Sequence, residues 1–497
     1  MNKLLIGFAE ESIVPHRPVI LMGQLYERIS DVVESEISVT AMAVQTDCDS
    51  MIMISADLPV VSEALICSAR EKFASMTDEI SPSKIIIGAI HTHTSIGYLS
   101  GSNISRDILN EFLPEGKKYT EIVQESTDVF KGDEALDFIA NAIATAAKKA
   151  WDSRKEAKYA NSFGRAVVGH CRRVVYDDGS AKMWGDSNSA NFLELESGND
   201  SGIELMYFFD TNNKLEGVMA NIACPAQVLE HHTFISSDYC GKVKKFLREK
   251  FGDDLYFLLF IGAAGDQCPR DMIRWVDPDE PVKDPHITRD FTIERKADPS
   301  MFDIKGCTLI GKRVANEIIN VYEELEDDDI KSEAVFEHKI LNIDLPLRKA
   351  TIEQYEHAVR EIEYYVEKNK DKEVFDFKDK AAVYVHAGTI ARYRLQQNTE
   401  LLPIESHVVR FGDVAIVTNP FELFLNYGNY IKARSYAKQT FICELTCGWS
   451  GYLPTERAEK GSHYSAYITS GKVGHEGGDL LVRKTLESIN NLFPLNN

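Results

Sequence analysis

The chain has 497 residues, 44% of them hydrophobic, and a formal net charge of -22 at pH 7. That apolar share supports a large buried core, and the acidic balance argues against nucleic acid or an anionic membrane surface as a partner. No run approaches the ~20 apolar residues of a membrane span, the N-terminal apolar run 4–9 is short for a secretion signal, and nine cysteines without framework spacing point to a reducing, cytoplasmic compartment.

Along the chain, residues 85–90 form the first short apolar run with strand length. Leu136, Ile139, Ala140, Ile143 and Ala147 recur at helical spacing and predict a helix over 135–151. A strand is expected at 215–224, then a helix over 238–251 with Asp238 as cap and Gly252 as stop, then a strand at 255–261. The acidic run 326–329 reads as a solvated loop. Ile352, Tyr355, Val359, Ile362 and Val366 predict a helix over 351–367, and 414–418 and 441–445 read as buried strands. Cys443 and Cys447 read as packed thiols, and Gly474, Gly477 and Gly478 as a flexible loop ahead of a C-terminal helix. Helices and strands mix throughout, so the fold class is α/β, a mixed central sheet with surrounding helices.

Each buried run is followed by polar residues. His91, Thr92 and His93 follow the first. Gln227, Glu230, His231 and His232 follow the second, and residues 262–269, with Asp266 and Cys268, the third. Glu422 follows the fourth and Tyr452 the fifth. Loops beyond strand ends are where such sheets carry their sites, so the clusters suggest one shared site. His91 and His93, two apart in an extended segment, would face the same side and reach one metal. Asp57 ends another apolar run and reads either as a carboxylate orienting a histidine or as a turn or cap residue.

The order of these motifs resembles the catalytic domain of the neutral (alkaline, non-lysosomal) ceramidase family. Ile13, Val14 and Pro15, then Met22, Gly23, Tyr26 and Arg28, match its opening motif. Ile90 to Thr94 match THTHS; Asn221 to Cys224, with Ser236 and Asp238, match NxxCHPT and SxD. Residues 264–270 match AGDxSPR, Pro420 and Glu422 match PGE, and Tyr452 and Tyr464 match the tyrosine pair. The resemblance implies one ceramidase-like domain over 1–497 and a zinc ion held by His91, Glu422 and Tyr452.

Three departures stand out. The family's CHPT histidine is missing from Cys224, Pro225, Ala226, Gln227; His231 is expected to replace it, with His232 or Gln227 as substitutes. Cys268 stands where the family has its serine nucleophile, and the C-terminal immunoglobulin-like domain and secretion signal are not found in the sequence. The implied chemistry is amide hydrolysis by water activated on Zn2+. Arg172 and Tyr464 would be donors to the oxyanion and His93 the proton carrier, while Cys268 is either a nucleophile or a packed thiol. The partner is a small-molecule substrate, with lipid among the candidates. Rival readings are a hydrolase of a small polar ester, lactone or sugar-amide, and a non-catalytic metal- or ligand-binding homologue. Residues 271–305, rich in charge and proline, read as a lid or pocket wall. Its Arg274, Asp277, Arg289 and Arg295 favour a small polar substrate over a long-chain lipid.

Overall fold

The computed structural model describes residues 3–99, 103–119, 128–187, 189–273, 275–276, 296–297 and 303–494. The larger sheet has eight strands in the order Tyr256–Ile261, Leu215–Ile222, Gly202–Asp210, Lys155–Arg165, Leu5–Ser12, Ser38–Gln45, Ser50–Ala56, Ile85–Ala89. Its interior pairings are antiparallel, and the pair at each end is parallel: Leu215–Ile222 with Tyr256–Ile261, and Ser50–Ala56 with Ile85–Ala89. A second sheet of four strands runs Phe336–Pro346, Leu401–Phe411, Val414–Thr418, Gln439–Cys443, and its last pair is also parallel. The architecture is a mixed α/β one, as the alternating helical and strand patterns imply.

The parallel strands are short and apolar on both faces because both faces are covered; every residue of Ile85–Ala89 and Val414–Thr418 is buried. The long antiparallel strand Phe336–Pro346 instead alternates buried and exposed positions over much of its length. The helix Gly132–Asp152 buries Ile139, Ala140, Ile143 and Ala147 against the strands Leu5–Ser12 and Ser38–Gln45. The helix Ile352–Lys368 starts at a capping box of Thr351 and Gln354 and packs on Phe377–Leu395.

One side chain ties the two sheets together. The buried amide of Asn221 donates to the carbonyls of Phe260 and Ile442, at 2.9 Å each, and accepts from the Ile442 N–H at 3.0 Å. Nearby, the Glu444 N–H donates to Ile261 O and the Ala89 N–H to Leu445 O. The C-terminal ends of the parallel strands of both sheets are therefore adjacent, and the loops that leave them share one region.

Several local expectations change. The C-terminal helix begins at His475, so Gly477 and Gly478 lie inside it rather than in a flexible loop. A Cβ at Gly478 would sit 2.4 Å from the Tyr427 ring, and one at Gly477 2.1 Å from Val473, so close packing excludes a side chain there. Ser237, not Asp238, precedes the first turn of Asp238–Phe251, and Asp327–Asp329 forms a 3-10 turn. The expected lid at 271–305 lies largely outside the described residues, with Arg274, Asp277, Arg289 and Arg295; within it Trp275–Val276 pairs with Lys296–Ala297. Among the described residues no helix is long and apolar enough to cross a membrane. None of the nine cysteines forms a disulfide.

Candidate metal centre and active site

The strand Ile85–Ala89 ends in a sharp turn. The His91 N–H donates to Leu58 O, and His91 takes a left-handed φ of 65°. This turn, rather than an extended segment, brings the His91 and His93 rings edge to face with centroids 4.7 Å apart. His91 Nδ1 donates to the carbonyl of Pro59 at 2.5 Å. In its neutral form the ring then presents a lone pair at Nε2, which lies 3.6 Å from Glu422 Oε2 and 3.3 Å from His93 Nε2. His93 Nε2 accepts from the Gln227 amide at 2.9 Å, which puts its proton on Nδ1. That Nδ1 lies 3.4 Å from Glu230 Oε2 and lacks a well-formed hydrogen bond. His91 Nε2 thus faces a second ring nitrogen and a carboxylate oxygen, an arrangement that suits a cation. Asp57 takes no part in it: its carboxylate accepts from the Ser38 N–H and hydroxyl, and burial pushes its pKa up to about 6.

Glu422 and Tyr452 are register partners in a parallel bridge between Glu422–Leu423 and Tyr452–Leu453. The loop 262–269 packs on the Glu422 backbone at Gly265, where a Cβ would meet the Glu422 carbonyl at 2.3 Å. The Tyr452 hydroxyl bonds to the Glu422 carboxylate and accepts from Arg172 Nη2 at 3.3 Å. Burial works against the Glu422 charge, but the His91 ring, Tyr452 and Arg172 outweigh it and hold the carboxyl below its usual range. Burial pushes the phenol of Tyr452 upward, while Tyr464 is 40% exposed, and the two rings meet edge to face at 5.6 Å.

Arg172 is placed by the antiparallel bridge of His170–Cys171 with Gln267–Cys268. Its Nη2 also donates to Gly265 O at 3.0 Å and its Nη1 to Gln227 Oε1 at 3.3 Å, while its buried Nε has no hydrogen-bond partner among the described residues. Burial alone would favour losing its proton; Tyr452, Cys268 and Glu422 outweigh that and hold the guanidinium charged. Cys268 is fully buried, donates through Sγ to Arg270 O at 3.4 Å, and is pushed by burial up to about 12. A sulfur so held stays a thiol near neutral pH.

The loop after Leu215–Ile222 is organised by Arg28, which is 2% exposed. Its guanidinium donates to the carbonyls of Met22, His93, Glu230 and His232 at 2.6–3.1 Å. The loop so held places Glu230 between two histidines, with Oε2 facing His93 and Oε1 3.4 Å from His231 Nε2. His231 is a quarter exposed at its side chain and lies on Glu230 rather than on His91. Burial drives the His93 pKa down to about 4. For Glu230, burial acts the other way but His93 and His231 dominate and push it down to about 2.

The structure therefore groups His91, Glu422, Tyr452, Tyr464 and Arg172, with His93 beside them, sets His231 on Glu230, and leaves Cys268 as a buried thiol near Arg172. Gln227 bridges His93 and Arg172, a role the sequence reading gave it only as a substitute ligand. The parts played by Glu230 and Arg28 were not read from sequence; a carboxylate next to paired histidines was the available signal for the first, and a basic residue within a matched motif for the second. Elsewhere, Glu405, His407 and Cys447 place one ligand atom each within 4.8 Å of the others.

The architecture and the loops gathered at its parallel strand ends define a neutral ceramidase-like fold. The chain is similar to the crystal structure of neutral ceramidase from Pseudomonas aeruginosa, with a TM-score of 0.66 and 12% identity over 100% of this chain and 76% of that one. It is similar also to ceramidase complexed with C2, with a TM-score of 0.66 and 11% identity over 100% of this chain and 77% of that one. No protein-family model and no curated protein sequence matches the chain.

Proposed function

We propose that this chain is a zinc-dependent hydrolase of an amide (N-acyl) bond, with the ion held by His91, Glu422 and Tyr452. The observation that carries the reading is the His91 ring, fixed through Nδ1 on the Pro59 carbonyl and facing Glu422 and His93 through Nε2. Metal-ligating histidines are held in this way, with the second nitrogen tied to an oxygen. The ceramidase names carried by the two structural neighbours support hydrolysis of an N-acyl compound. Zinc bound there would supply a Lewis acid and bring the pKa of bound water from 15.7 to about 7.

The chain's own groups then have distinct tasks. Arg172 has one unused donor, Nε, to offer an oxyanion, and its charge is held by buried neighbours. Tyr464 stands on the Tyr452 ring and keeps its phenolic proton, so it is a second donor. His93 is neutral near pH 7 and takes a proton for the leaving amine. Glu230 orients it, and Gln227 links it to Arg172. Cys268 packs as a thiol, and water is the nucleophile. His231 acts on Glu230 rather than as the fourth ligand.

The test combines metal analysis with assay of the purified chain on long-chain ceramides and short polar N-acyl compounds. Expected are bound zinc, turnover of at least one N-acyl substrate, and in His91→Ala a reduced zinc content with loss of turnover. A His91→Ala protein that keeps full zinc and full activity overturns the reading.

A further inference from the structure

We propose that Glu405, His407 and Cys447 form a second metal site, suited to a soft divalent cation and independent of the active-site reading. The donors are one carboxylate, one imidazole and one thiol, all within 4.8 Å of one another. Nitrogen and sulfur ligands of this kind select zinc or cobalt over calcium or magnesium.

Three elements build the cluster. Glu405 and His407 are two apart on the strand Leu401–Phe411 and share a face. Cys447 comes from the loop after Gln439–Cys443, where it takes a left-handed φ of 53°. That strained conformation is locked by the strand Ile85–Ala89: the Cys447 N–H donates to Ile87 O at 2.9 Å, and the Ile87 N–H donates to Cys447 Sγ at 3.5 Å. His338, from the neighbouring strand, supplies an outer partner 2.8 Å from His407 Nδ1. His407 Nε2 is thereby aimed at Glu405 Oε1, 2.9 Å away.

A cation has a way in. A cavity of about 140 Å³ lies against Glu405 and Cys447, with Cys67, Arg70, Pro420 and Ser450 among its other walls. Arg70 projects into the cluster and answers its negative charge, with Nη1 3.0 Å from Glu405 Oε2, Nη2 2.7 Å from Oε1 and 3.8 Å from Cys447 Sγ. A divalent ion would supply positive charge to the carboxylate and sulfur that Arg70 now contacts. Arg70 Nη2 also donates to Ile85 O at 2.7 Å, so an ion at Glu405 would take the place of the guanidinium at the carboxylate while that backbone contact can remain. Pro420 and Ser450 each lie two residues before Glu422 and Tyr452, so an ion here would brace the loops that carry them.

Co2+ titration of the metal-free full chain tests the site. Thiolate ligation gives a sulfur-to-cobalt charge-transfer band, and the His91, Glu422, Tyr452 set contains no sulfur, so the band reports the second site whether or not the active-site reading holds. The band is expected in the wild type, in His91→Ala and in Cys268→Ser, and is expected to be lost in Cys447→Ser. Removing the outer partner in His338→Ala should weaken Co2+ binding about 10- to 100-fold, and Arg70→Gln should tighten it. A wild-type protein without the band, or a Cys447→Ser protein that keeps it undiminished, overturns the proposal.

Discussion

Glu422 and Tyr452 face one another across one rung of a parallel bridge, so their side chains leave the same face although 30 residues separate them in the chain. Arg172 closes this pair by donating to the Tyr452 hydroxyl, and His91 approaches from the other sheet. The active-site predictions below rest on that grouping, the last two on the packing that supports it.

Removing a ligand of the proposed set should cost more metal affinity than removing a supporting residue. His91→Ala and Glu422→Gln are expected to lose more than the roughly 10–100-fold typical of an outer partner. Competition with a chelator of known affinity measures this, and near wild-type affinity in both variants would remove the metal from this site.

Gln227 and His231 should behave differently. Gln227→Ala deletes the amide that joins His93 to Arg172 and is expected to lower kcat/KM about 10-fold or more. His231, a quarter exposed, should change metal affinity by no more than roughly two-fold when replaced by alanine. A large affinity loss confined to His231→Ala would restore that histidine as the fourth ligand.

Cys268→Ala should keep hydrolytic activity within about 10-fold, because a buried thiol with its pKa near 12 supplies little thiolate. Stability should fall by about 1 kcal/mol, as for a typical buried substitution. Complete loss of turnover with the fold intact would make the sulfur the nucleophile.

Arg28→Met should destabilise the chain by roughly 3 kcal/mol or more, since four carbonyls lose a charged donor and each buried acceptor left unsatisfied costs ~1–3 kcal/mol. Urea unfolding reads the loss. The same variant should weaken metal binding, because Arg28 holds the carbonyl of His93 and the loop that carries Glu230.

The pH dependence of stability has a defined sign at Asp57. Its folded pKa is raised by burial to about 6, above the ~3.9 of an unfolded aspartate. Between those values the folded state binds more protons, so this group's contribution falls as pH rises from about 4 to about 6 and is level above that. Asp238, also raised by burial to about 6, acts in the same direction. Asp57→Asn should flatten the slope by an amount on the order of 2–3 kcal/mol across the window. Chemical denaturation at pH about 4.5 and about 7.5 measures it, and an unchanged slope would mean that Asp57 titrates normally.

The short apolar runs and helical periodicities were legible in the sequence because burial on both faces, or on one stripe, constrains residue type position by position. That constraint marks the strand Ile85–Ala89 and the helix Gly132–Asp152, and it is why a polar cluster beyond each strand stood out. It is silent about how Gly477 and Gly478 pack, since their glycines answer to Val473 and to the Tyr427 ring rather than to local conformation. It is silent also about partners brought together from distant loops. His231 sits beside His232 in sequence, yet Arg28, some two hundred residues away, shapes the loop so that it meets Glu230 and not His91. Chain connectivity alone thus determined the elements and the residue types available at their ends. The pairing of two sheets, the turn at His91 and the buried arginines decided which of those residues face one another, because distances of a few ångströms are set by packing and not by spacing along the chain.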